Sequence, residues 1–272
     1  PKRRGDDRLV VFVSTQNIHD FGETQNMKPL QRILLAFILT VVSAITTTAA
    51  ASTAAKKVEF NQAGFDKYKK VLYRVSQETG ESATTLAAYS SIETNMRANV
   101  CNRSGSGACG LTQFLPGTWN AMVKQHHRKY GLSKNVSRSN AYANLAMTAE
   151  YIKSNRALLE KALKRDVSPS EVYLAHALGP GNALKVLRAN PNKKITAVLH
   201  IHRGNNSLLY SKGKALTVAQ FKANMQRKFS VHSSTYRPAV NQYALNRMMD
   251  DPQRGLDHLI AQVSTIPGVP SL

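Results

Sequence analysis

Apolar side chains recur at helical spacing through most of the chain after its first 60 residues. Phe65, Tyr68 and Leu72 follow one another at intervals of three and four residues, so a helix would place them on one face. The same spacing returns at residues 170–188, and no long alternating strand interrupts it. The pattern predicts a mainly α domain over residues 56–230.

The chain becomes polar after Phe229, where Ser, His, Asp and Arg replace the apolar repeats. The last regular stretch of apolar spacing runs from Val240 to Met249. We therefore expect a polar C-terminal tail over residues 231–272 that holds one short helix at this position and is otherwise flexible.

The segment that follows Met27 has the layout of a secretory signal peptide. Two basic residues are followed by the apolar run ILLAFILTVVSAI at 33–45 and then by a stretch of Thr, Ser and Ala. We predict a signal peptide over residues 27–55 and a periplasmic location for the rest of the chain.

Two alternatives stay open at this end of the chain. Residues 33–55 are uncharged and long enough to span a bilayer, so an N-terminal membrane anchor is the alternative to cleavage. Residues 1–26 carry no recognisable pattern and are either an upstream extension or an artefact.

Basic residues outnumber acidic ones, with 37 Lys and Arg against 16 Asp and Glu and a formal net charge of +21. An apolar content of 42% is typical of a globular chain and excludes a wholly disordered or collagen-like one. The charge implies an anionic partner, and nucleic acid, phospholipid and acidic wall polymers all qualify. Because export is expected and no DNA-binding motif is recognisable, we expect a wall polymer and no nucleic acid.

The two cysteines, Cys101 and Cys109, are separated by the turn-rich segment NRSGSGA. An oxidising periplasm favours a local disulfide between them, and a pair of free or buried thiols is the alternative. Two cysteines are too few for a four-cysteine metal site, and the paired histidines have no acidic residues beside them. We expect neither a metal nor another cofactor. The histidines concerned are His126, His127, His200 and His202.

Glu93 is the only acidic residue between Glu81 and Glu150, a stretch that holds seven Lys or Arg. Such an isolated carboxylate is either one end of a salt bridge or a residue with a chemical role. The sequence around it favours the second reading. Glu93 and Thr94 close an apolar helical run, and after a loop the chain reads GACGLTQFLPGTW at 107–119.

This pattern resembles the soluble lytic transglycosylases, the lysozyme-like enzymes of glycoside hydrolase family 23 type, also called the SLT family. Their pattern is Glu-Ser, a loop, and then Gly-Ala-x-Gly-Leu-x-Gln-x-x-Pro-x-Thr. Two further family blocks follow in the family's order, one with Asn144, Thr148 and Tyr151 and one, AHALGPG, at 175–181. Three blocks in order are a far more specific signal than one Gly-rich run.

The resemblance, which covers residues 65–190, implies a goose-type lysozyme-like helical domain with a glycine-rich loop beside the active cleft. It implies Glu93 as the catalytic acid of an enzyme that cleaves the β-1,4 bond between N-acetylmuramic acid and N-acetylglucosamine in peptidoglycan, leaving 1,6-anhydromuramic ends. Gly105, Gly107 and Gly110 would let the loop turn tightly and approach the glycan. The residues expected to contact substrate are Thr94, Gln113, Phe114, Tyr151 and His176, although core packing is the alternative for Phe114 and for nearby Trp119.

The chain departs from the family pattern at two of these positions. Thr94 replaces the usual serine and keeps the hydroxyl. His176 and Ala177 replace a Tyr-Asn pair whose tyrosine, in the family, contacts the catalytic glutamate. Either His176 takes this role or the contact comes from elsewhere.

Cleavage of a glycosidic bond needs an acid that can protonate the departing oxygen, and most glycosidases also use a second carboxylate at about 5 to 9.5 Å. No acidic residue near Glu93 in the sequence supplies one, which suits a transglycosylase whose substrate hydroxyl is the nucleophile. A water-using muramidase stays open because the fold could bring another acid to the cleft. The candidates are Asp66, Glu78, Glu81, Glu150 and Glu171.

A third possibility belongs to another class, a basic binding module on a catalytically dead fold that attaches to wall polymer or nucleic acid. The presence of both Glu93 and Gln113 argues against it. The expected partner is the peptidoglycan glycan strand, acted on by a monomer. A secretion, conjugation or phage assembly is equally compatible as the system that the protein serves.

Overall fold

The computed structural model describes residues 58–103, 105–200 and 208–250. The predicted signal peptide at 27–55 and the segment 1–26 lie outside these residues. The described part is mainly helical, as the spacing predicts, with 3-10 turns at His127–Tyr130 and Ile195–Ala197 and a hairpin of β1 (Tyr210–Ser211) and β2 (Lys214–Ala215). Its α-helices are α1 (Gln62–Thr79), α2 (Ala83–Thr94), α3 (Pro116–His126), α4 (Ala141–Leu163), α5 (Pro169–Leu178), α6 (Pro180–Arg188) and α7 (Val218–Asp250).

Helix α2 is the central element of the core. Leu86, Ala87 and Ala88 are fully buried although consecutive residues point about 100° apart around a helix, so α2 has no solvent-facing stripe. Its most extensive contacts are with α7, while α1 packs mainly on α4. The helix that ends at Glu93 and Thr94 is therefore held from several sides.

Helix α5 begins with a capping box formed by Ser168 and Glu171. The Ser168 side chain accepts a hydrogen bond from the Glu171 backbone, the Glu171 carboxylate accepts one from the Ser168 backbone, and Pro169 occupies the first turn. This capping box satisfies backbone donors that would otherwise lack partners. It sets the start of the helix that carries Tyr173 and His176.

The predicted tail at 231–272, with a separate helix at Val240 to Met249, is wrong for residues 231–250, and residues 251–272 lie outside the described ranges. Helix α7 runs without a break from Val218 to Asp250 and includes Pro238. Phe229, Ser233, Tyr236 and Val240 are buried at intervals of four, three and four residues, so the helical period continues through the polar stretch. The polar residues lie between these positions. Because they outnumber the buried ones, the average polarity of the stretch is high and the helical spacing is difficult to recognise in the sequence.

Tyr236 shows how this extension is anchored. Its ring lies 4.9 Å from that of Phe60, centroid to centroid, and its hydroxyl accepts a hydrogen bond from the Asn61 backbone at 3.2 Å. The far half of α7 therefore holds the start of α1, and the boundary predicted at residue 230 falls inside a helix. Within the described ranges, no helix is both long and apolar enough to cross a membrane.

His232 on α7 contacts α2 at Ser91, two residues before Glu93. His232 Nδ1 lies 2.8 Å from Ser91 Oγ, and burial together with the charge of Lys228 lowers the pKa of His232 to about 4. The unfolded chain, with a histidine pKa near its ordinary value, then binds more protons between about pH 6.5 and pH 4. The contribution of His232 to stability is complete above this window and is lost as the pH falls through it.

We expect His232→Gln, which cannot titrate but can still hydrogen-bond Ser91, to flatten part of the acid dependence of stability. Between pH 7 and pH 4.5 the wild type should lose about 1 to 2 kcal/mol of unfolding free energy more than the variant, allowing for partial exposure of the ring. Urea unfolding followed by circular dichroism at the two pH values measures this difference. Parallel losses in both proteins would contradict the assignment.

Candidate active site

Glu93 lies at the C-terminal end of α2, where the chain leaves the helix. Asn95 and Met96 follow it with φ values of 51° and 60°, so the backbone turns sharply away just after the carboxylate. Glu93 is half-buried. The helix end thus presents one carboxylate at a partly open position on a rigid, buried element.

The hydroxyl of Tyr173 on α5 donates a hydrogen bond to Glu93 Oε1 at 2.9 Å. Burial is the largest cause that raises the pKa of Tyr173, followed by the charge of Glu93 and their hydrogen bond, so the hydroxyl keeps its proton. The family resemblance leaves open whether His176 or another residue contacts Glu93. The structure places Tyr173, one helical turn earlier on α5, in that contact.

Sequence reasoning missed Tyr173 because it does not match the family tyrosine in position. The signal was present in the spacing, since residues three apart on a helix lie on the same side. A tyrosine three residues before His176 can therefore reach toward the same site. The contact itself joins residues 80 positions apart, which sequence spacing does not reveal.

The glycine-rich segment folds into a tight turn beside the end of α2. Cys109 and Phe114 exchange two backbone hydrogen bonds of 3.0 Å, and Gln113 occupies the turn with φ of 54°. At Gly110 the φ is +87°, and a Cβ there would lie 2.2 Å from the Arg138 backbone oxygen. Gly110 is thus required by the tight turn, as predicted, and by the close approach of the Arg138 backbone. Its predicted role in the approach of the glycan stays a prediction.

Residues of the second and third sequence blocks hold this turn in place through Thr112. The Thr112 backbone and hydroxyl both donate to Asn144 Oδ1, at 3.1 and 2.9 Å, and its hydroxyl lies 2.8 Å from that of Thr148. The Thr112 carbonyl oxygen is 3.0 Å from His176 Nε2. Two helices distant in sequence, α4 and α5, therefore converge on one loop residue.

The hydrogen bond to Thr112 defines the state of His176. A carbonyl oxygen only accepts, so Nε2 must carry the proton, and in a neutral ring Nδ1 is then an acceptor. Burial lowers the pKa of His176, with an opposing effect from the charge of Glu93, and favours this neutral form. Nδ1 is buried with no partner among the described residues. His176 therefore holds the loop instead of contacting Glu93.

Thr94 ties the end of α2 to the same loop. Its hydroxyl lies 3.1 Å from the Ser90 carbonyl oxygen and 2.9 Å from that of Leu111, and it accepts from the Arg97 backbone. The side chain is only 4% exposed. This differs from the expected contact with substrate, because the hydroxyl is already engaged within the protein.

Phe114 is also buried, at 2% exposure, and its ring packs 5.4 Å from Trp119 and 6.3 Å from His176, centroid to centroid. Phe114 and Trp119 therefore belong to the core, which is the alternative to substrate contact. The burial of Phe114 does not fit its expected contact with substrate. Tyr151 is half-buried, with its ring 5.9 Å from that of His176. It remains a candidate for substrate contact.

Gln113 uses its side-chain nitrogen within the loop, where Nε2 donates to the carbonyl oxygens of Val100 and Gly110 at 2.9 and 3.0 Å. Its side-chain oxygen is the atom left to accept from a ligand. The half-buried residue therefore stabilises the turn, and its expected contact with substrate is restricted to that oxygen.

Every carboxylate that sequence reasoning kept open as a second acid has a basic partner of its own. Glu81 is buried, and its carboxylate lies 3.7 Å from Arg156. Burial raises the pKa of Glu81, and the charge of Arg156 opposes this shift. The other pairs are Asp66 with Lys69, Glu78 with Arg74, Glu150 with Lys129 and Glu171 with Arg165. Within the described ranges, none of the five hydrogen-bonds to Glu93, Tyr173 or His176.

Cys101 and Cys109 form a disulfide, as predicted, which closes the loop that leads into the glycine-rich turn. The Asn102 backbone donates to the Ala108 carbonyl within this loop at 2.8 Å. In the part of the chain that the structure describes, no group of three His, Cys, Asp or Glu residues is arranged to hold a metal ion.

We expect Tyr173→Phe to reduce kcat about tenfold with little change in KM, because the variant removes one hydrogen bond that positions Glu93 and leaves the ring packing in place. Turnover of purified peptidoglycan at several concentrations separates the two constants. The matched control is Tyr142→Phe, which removes a similar tyrosine hydrogen bond, to Glu78 at 2.6 Å. Equal losses in both variants, or a loss only in KM, would contradict a positioning role for Tyr173.

Comparison with known proteins finds a family model and a similar solved structure. The family model described as the transglycosylase SLT domain matches residues 71–199, which include Glu93, Tyr173 and His176. Among solved structures, an inactive mutant of lytic transglycosylase Slt from Pseudomonas aeruginosa is similar, with a TM-score of 0.40 and 16% sequence identity. The match covers 62% of this chain and 24% of that one, so the chain spans about a quarter of the length of that structure.

Proposed function

Residues 71–199 form a transglycosylase SLT domain, and from this premise we propose that the protein is a peptidoglycan lytic transglycosylase with Glu93 as its one catalytic carboxylate. The bond cleaved is the β-1,4 bond between N-acetylmuramic acid and N-acetylglucosamine. The single observation that carries this proposal is the placement of Glu93. It is half-buried at a helix end and held by Tyr173, while the five other candidate acids are paired elsewhere.

In the first step Glu93 acts as a general acid. Tyr173 donates to Oε1, which leaves Oε2 to carry the proton that passes to the glycosidic oxygen as the bond to the anomeric carbon breaks. The leaving sugar departs with a free hydroxyl. Glu93 is then a carboxylate, to which the Tyr173 hydroxyl still donates.

In the second step Glu93 acts as a general base. It takes the proton of the 6-hydroxyl of N-acetylmuramic acid while that oxygen bonds to the anomeric carbon and closes a 1,6-anhydro ring. No water is consumed, and Glu93 regains its proton. One carboxylate is sufficient because the substrate supplies the nucleophile, whereas a hydrolytic glycosidase uses a second carboxylate.

The location and the partners belong to the same proposal. Export through the segment at 27–55 would bring the protein to the periplasm, where the net charge of +19 on residues 56–272, from 31 basic and 12 acidic residues, favours binding to an anionic wall. The substrate would be the glycan strand, acted on by a monomer that serves a secretion, conjugation or phage assembly.

Mass spectrometry of the digestion products tests the reaction. Purified peptidoglycan is incubated with the protein, and the released muropeptides are compared with those of a hydrolytic muramidase. We expect anhydro ends, lighter than reducing ends by one water, about 18 Da. Reducing ends alone would identify a water-using muramidase, and no release at all would favour a non-catalytic binding module.

A further inference from the structure

The charge of the protein is unevenly distributed along the chain. From residue 172 to residue 249 there are 12 Lys or Arg and no acidic residue. This stretch begins inside α5, one residue after Glu171, and ends at Asp250, the last residue of α7. Lysines on this part of the surface therefore lack nearby carboxylates in the sequence.

A small hairpin projects from this acid-free region. β1 and β2 are joined by Lys212 and Gly213, whose φ values of 49° and 75° are those of a tight primed turn. The hairpin is anchored below its strands, where Leu209 and Leu216 are buried and the Leu216 backbone donates to the Leu209 carbonyl at 2.8 Å. The tip is thus a rigid projection on a packed base.

Four lysines surround this projection, and all are exposed. Lys212 and Lys214 belong to the hairpin, while Lys193 and Lys194 lie on the neighbouring segment. The Lys193 carbonyl accepts from the Val218 backbone at 2.9 Å, and Lys194 Nζ donates to the Ala215 carbonyl at 3.2 Å. Within the described ranges no carboxylate forms an ion pair with any of the four.

Two large apolar side chains are exposed beside these lysines. Leu208 and Tyr210 are 42% and 40% exposed, whereas Leu209 between them is buried. A hydrated polyanion needs only the lysines. A bilayer surface uses both kinds of side chain, because anionic headgroups attract lysine while leucine and tyrosine favour the apolar boundary beneath them.

We propose that this hairpin face, formed by Leu208, Tyr210, Lys212, Lys214, Lys193 and Lys194, binds the surface of an anionic phospholipid bilayer. The four ammonium groups lie against the headgroups, and Leu208 and Tyr210 enter the interface. The hairpin lies beyond the family match, which ends at residue 199, and the binding does not depend on the catalytic proposal. Its consequence is a protein held at the membrane surface.

Sedimentation with vesicles tests this proposal on the full chain. One set of vesicles is phosphatidylcholine, and the other contains about one third phosphatidylglycerol. We expect Lys212→Glu with Lys214→Glu to lower partitioning onto the anionic vesicles about tenfold or more. We expect the uncharged apolar run at 33–45 to bind both vesicle types alike, so the difference between them is the quantity compared.

The matched control reverses two exposed lysines of α1, Lys67→Glu with Lys70→Glu, which changes the net charge equally. This variant should partition nearly as the wild type does. Leu208→Ala with Tyr210→Ala should weaken vesicle binding several-fold at constant charge. Far-UV circular dichroism establishes that each variant is folded.

Three results would overturn the proposal. Equal losses in the two charge-reversal variants would assign binding to overall charge. Unchanged vesicle binding by the hairpin variant would remove the face from the interaction. Reduced binding of that variant to purified peptidoglycan, with vesicle binding intact, would assign the face to the wall.

Discussion

Glu93→Gln should lower the rate of peptidoglycan cleavage about a thousandfold, equivalent to about 4 kcal/mol of transition-state stabilisation. The amide has nearly the size of the carboxylate, and its oxygen can still accept the Tyr173 hydrogen bond. It cannot deliver a proton to the glycosidic oxygen or remove one from the 6-hydroxyl. The two steps proposed for Glu93 are therefore lost together.

Release of soluble muropeptides over time measures this loss, and binding to insoluble peptidoglycan should remain close to that of the wild type. The control is Glu78→Gln, since Glu78 also accepts a tyrosine hydrogen bond, from Tyr142, but pairs with Arg74 away from the loop at Thr112. It should leave the cleavage rate within about twofold. A Glu93→Gln protein with more than a tenth of the wild-type rate would exclude Glu93 as the catalytic acid.

Gly110→Ala should cost about 3 kcal/mol or more of unfolding free energy and should also abolish most cleavage. The new Cβ would lie 2.2 Å from the Arg138 carbonyl oxygen and 2.3 Å from Asn144 Nδ2. The backbone of Arg138 cannot move aside easily, and the φ of +87° is strained for alanine. Displacement of Asn144 would release Thr112 and with it the turn beside Glu93.

Urea unfolding measures the loss of stability, and Gly117→Ala is the matched control. Gly117 lies in the first turn of α3, where a new Cβ meets nothing within 4 Å. Alanine there should be neutral or stabilising by up to about 1 kcal/mol, because it favours the helix. Equal urea midpoints for the two variants would show that the close approach at Gly110 is not a constraint.

The helical class of the fold could be predicted because apolar spacing is a local property. Residues three and four apart share a helix face whatever the rest of the chain does, so the domain was identified as mainly α. The lysozyme-like class, expected from the three sequence blocks, is confirmed by the match to the SLT domain. The disulfide was also predictable, because eight positions and a turn-rich loop separate Cys101 from Cys109.

The end of the domain could not be predicted in the same way. Between Phe229 and Val240 only one residue position in three or four is buried, and Ser233 is polar although it is buried. Average polarity therefore indicated a tail where a helix continues. The buried face becomes visible only when Phe60 and the core are present to pack against it.

The candidate site was also only partly predictable from the sequence. Sequence alone identified Glu93 as an isolated carboxylate in a family pattern, because residue identity and order are sufficient for that inference. It named His176 and Thr94 as residues that contact substrate, whereas the structure engages both side chains within the protein. Their hydrogen bonds go to the carbonyl oxygens of Thr112 and Leu111, which no pattern of side chains encodes.

By itself, the sequence determined the helical class, the disulfide partners and the carboxylate expected to carry the chemistry, since each depends on local spacing or residue type. Only the tertiary structure decided that Tyr173 holds Glu93, that Asn144 and His176 hold the loop, and that Gly110 admits no side chain. The physical reason is that a hydrogen bond or a close approach depends on where two distant segments meet. That meeting is set by the packing of the whole core.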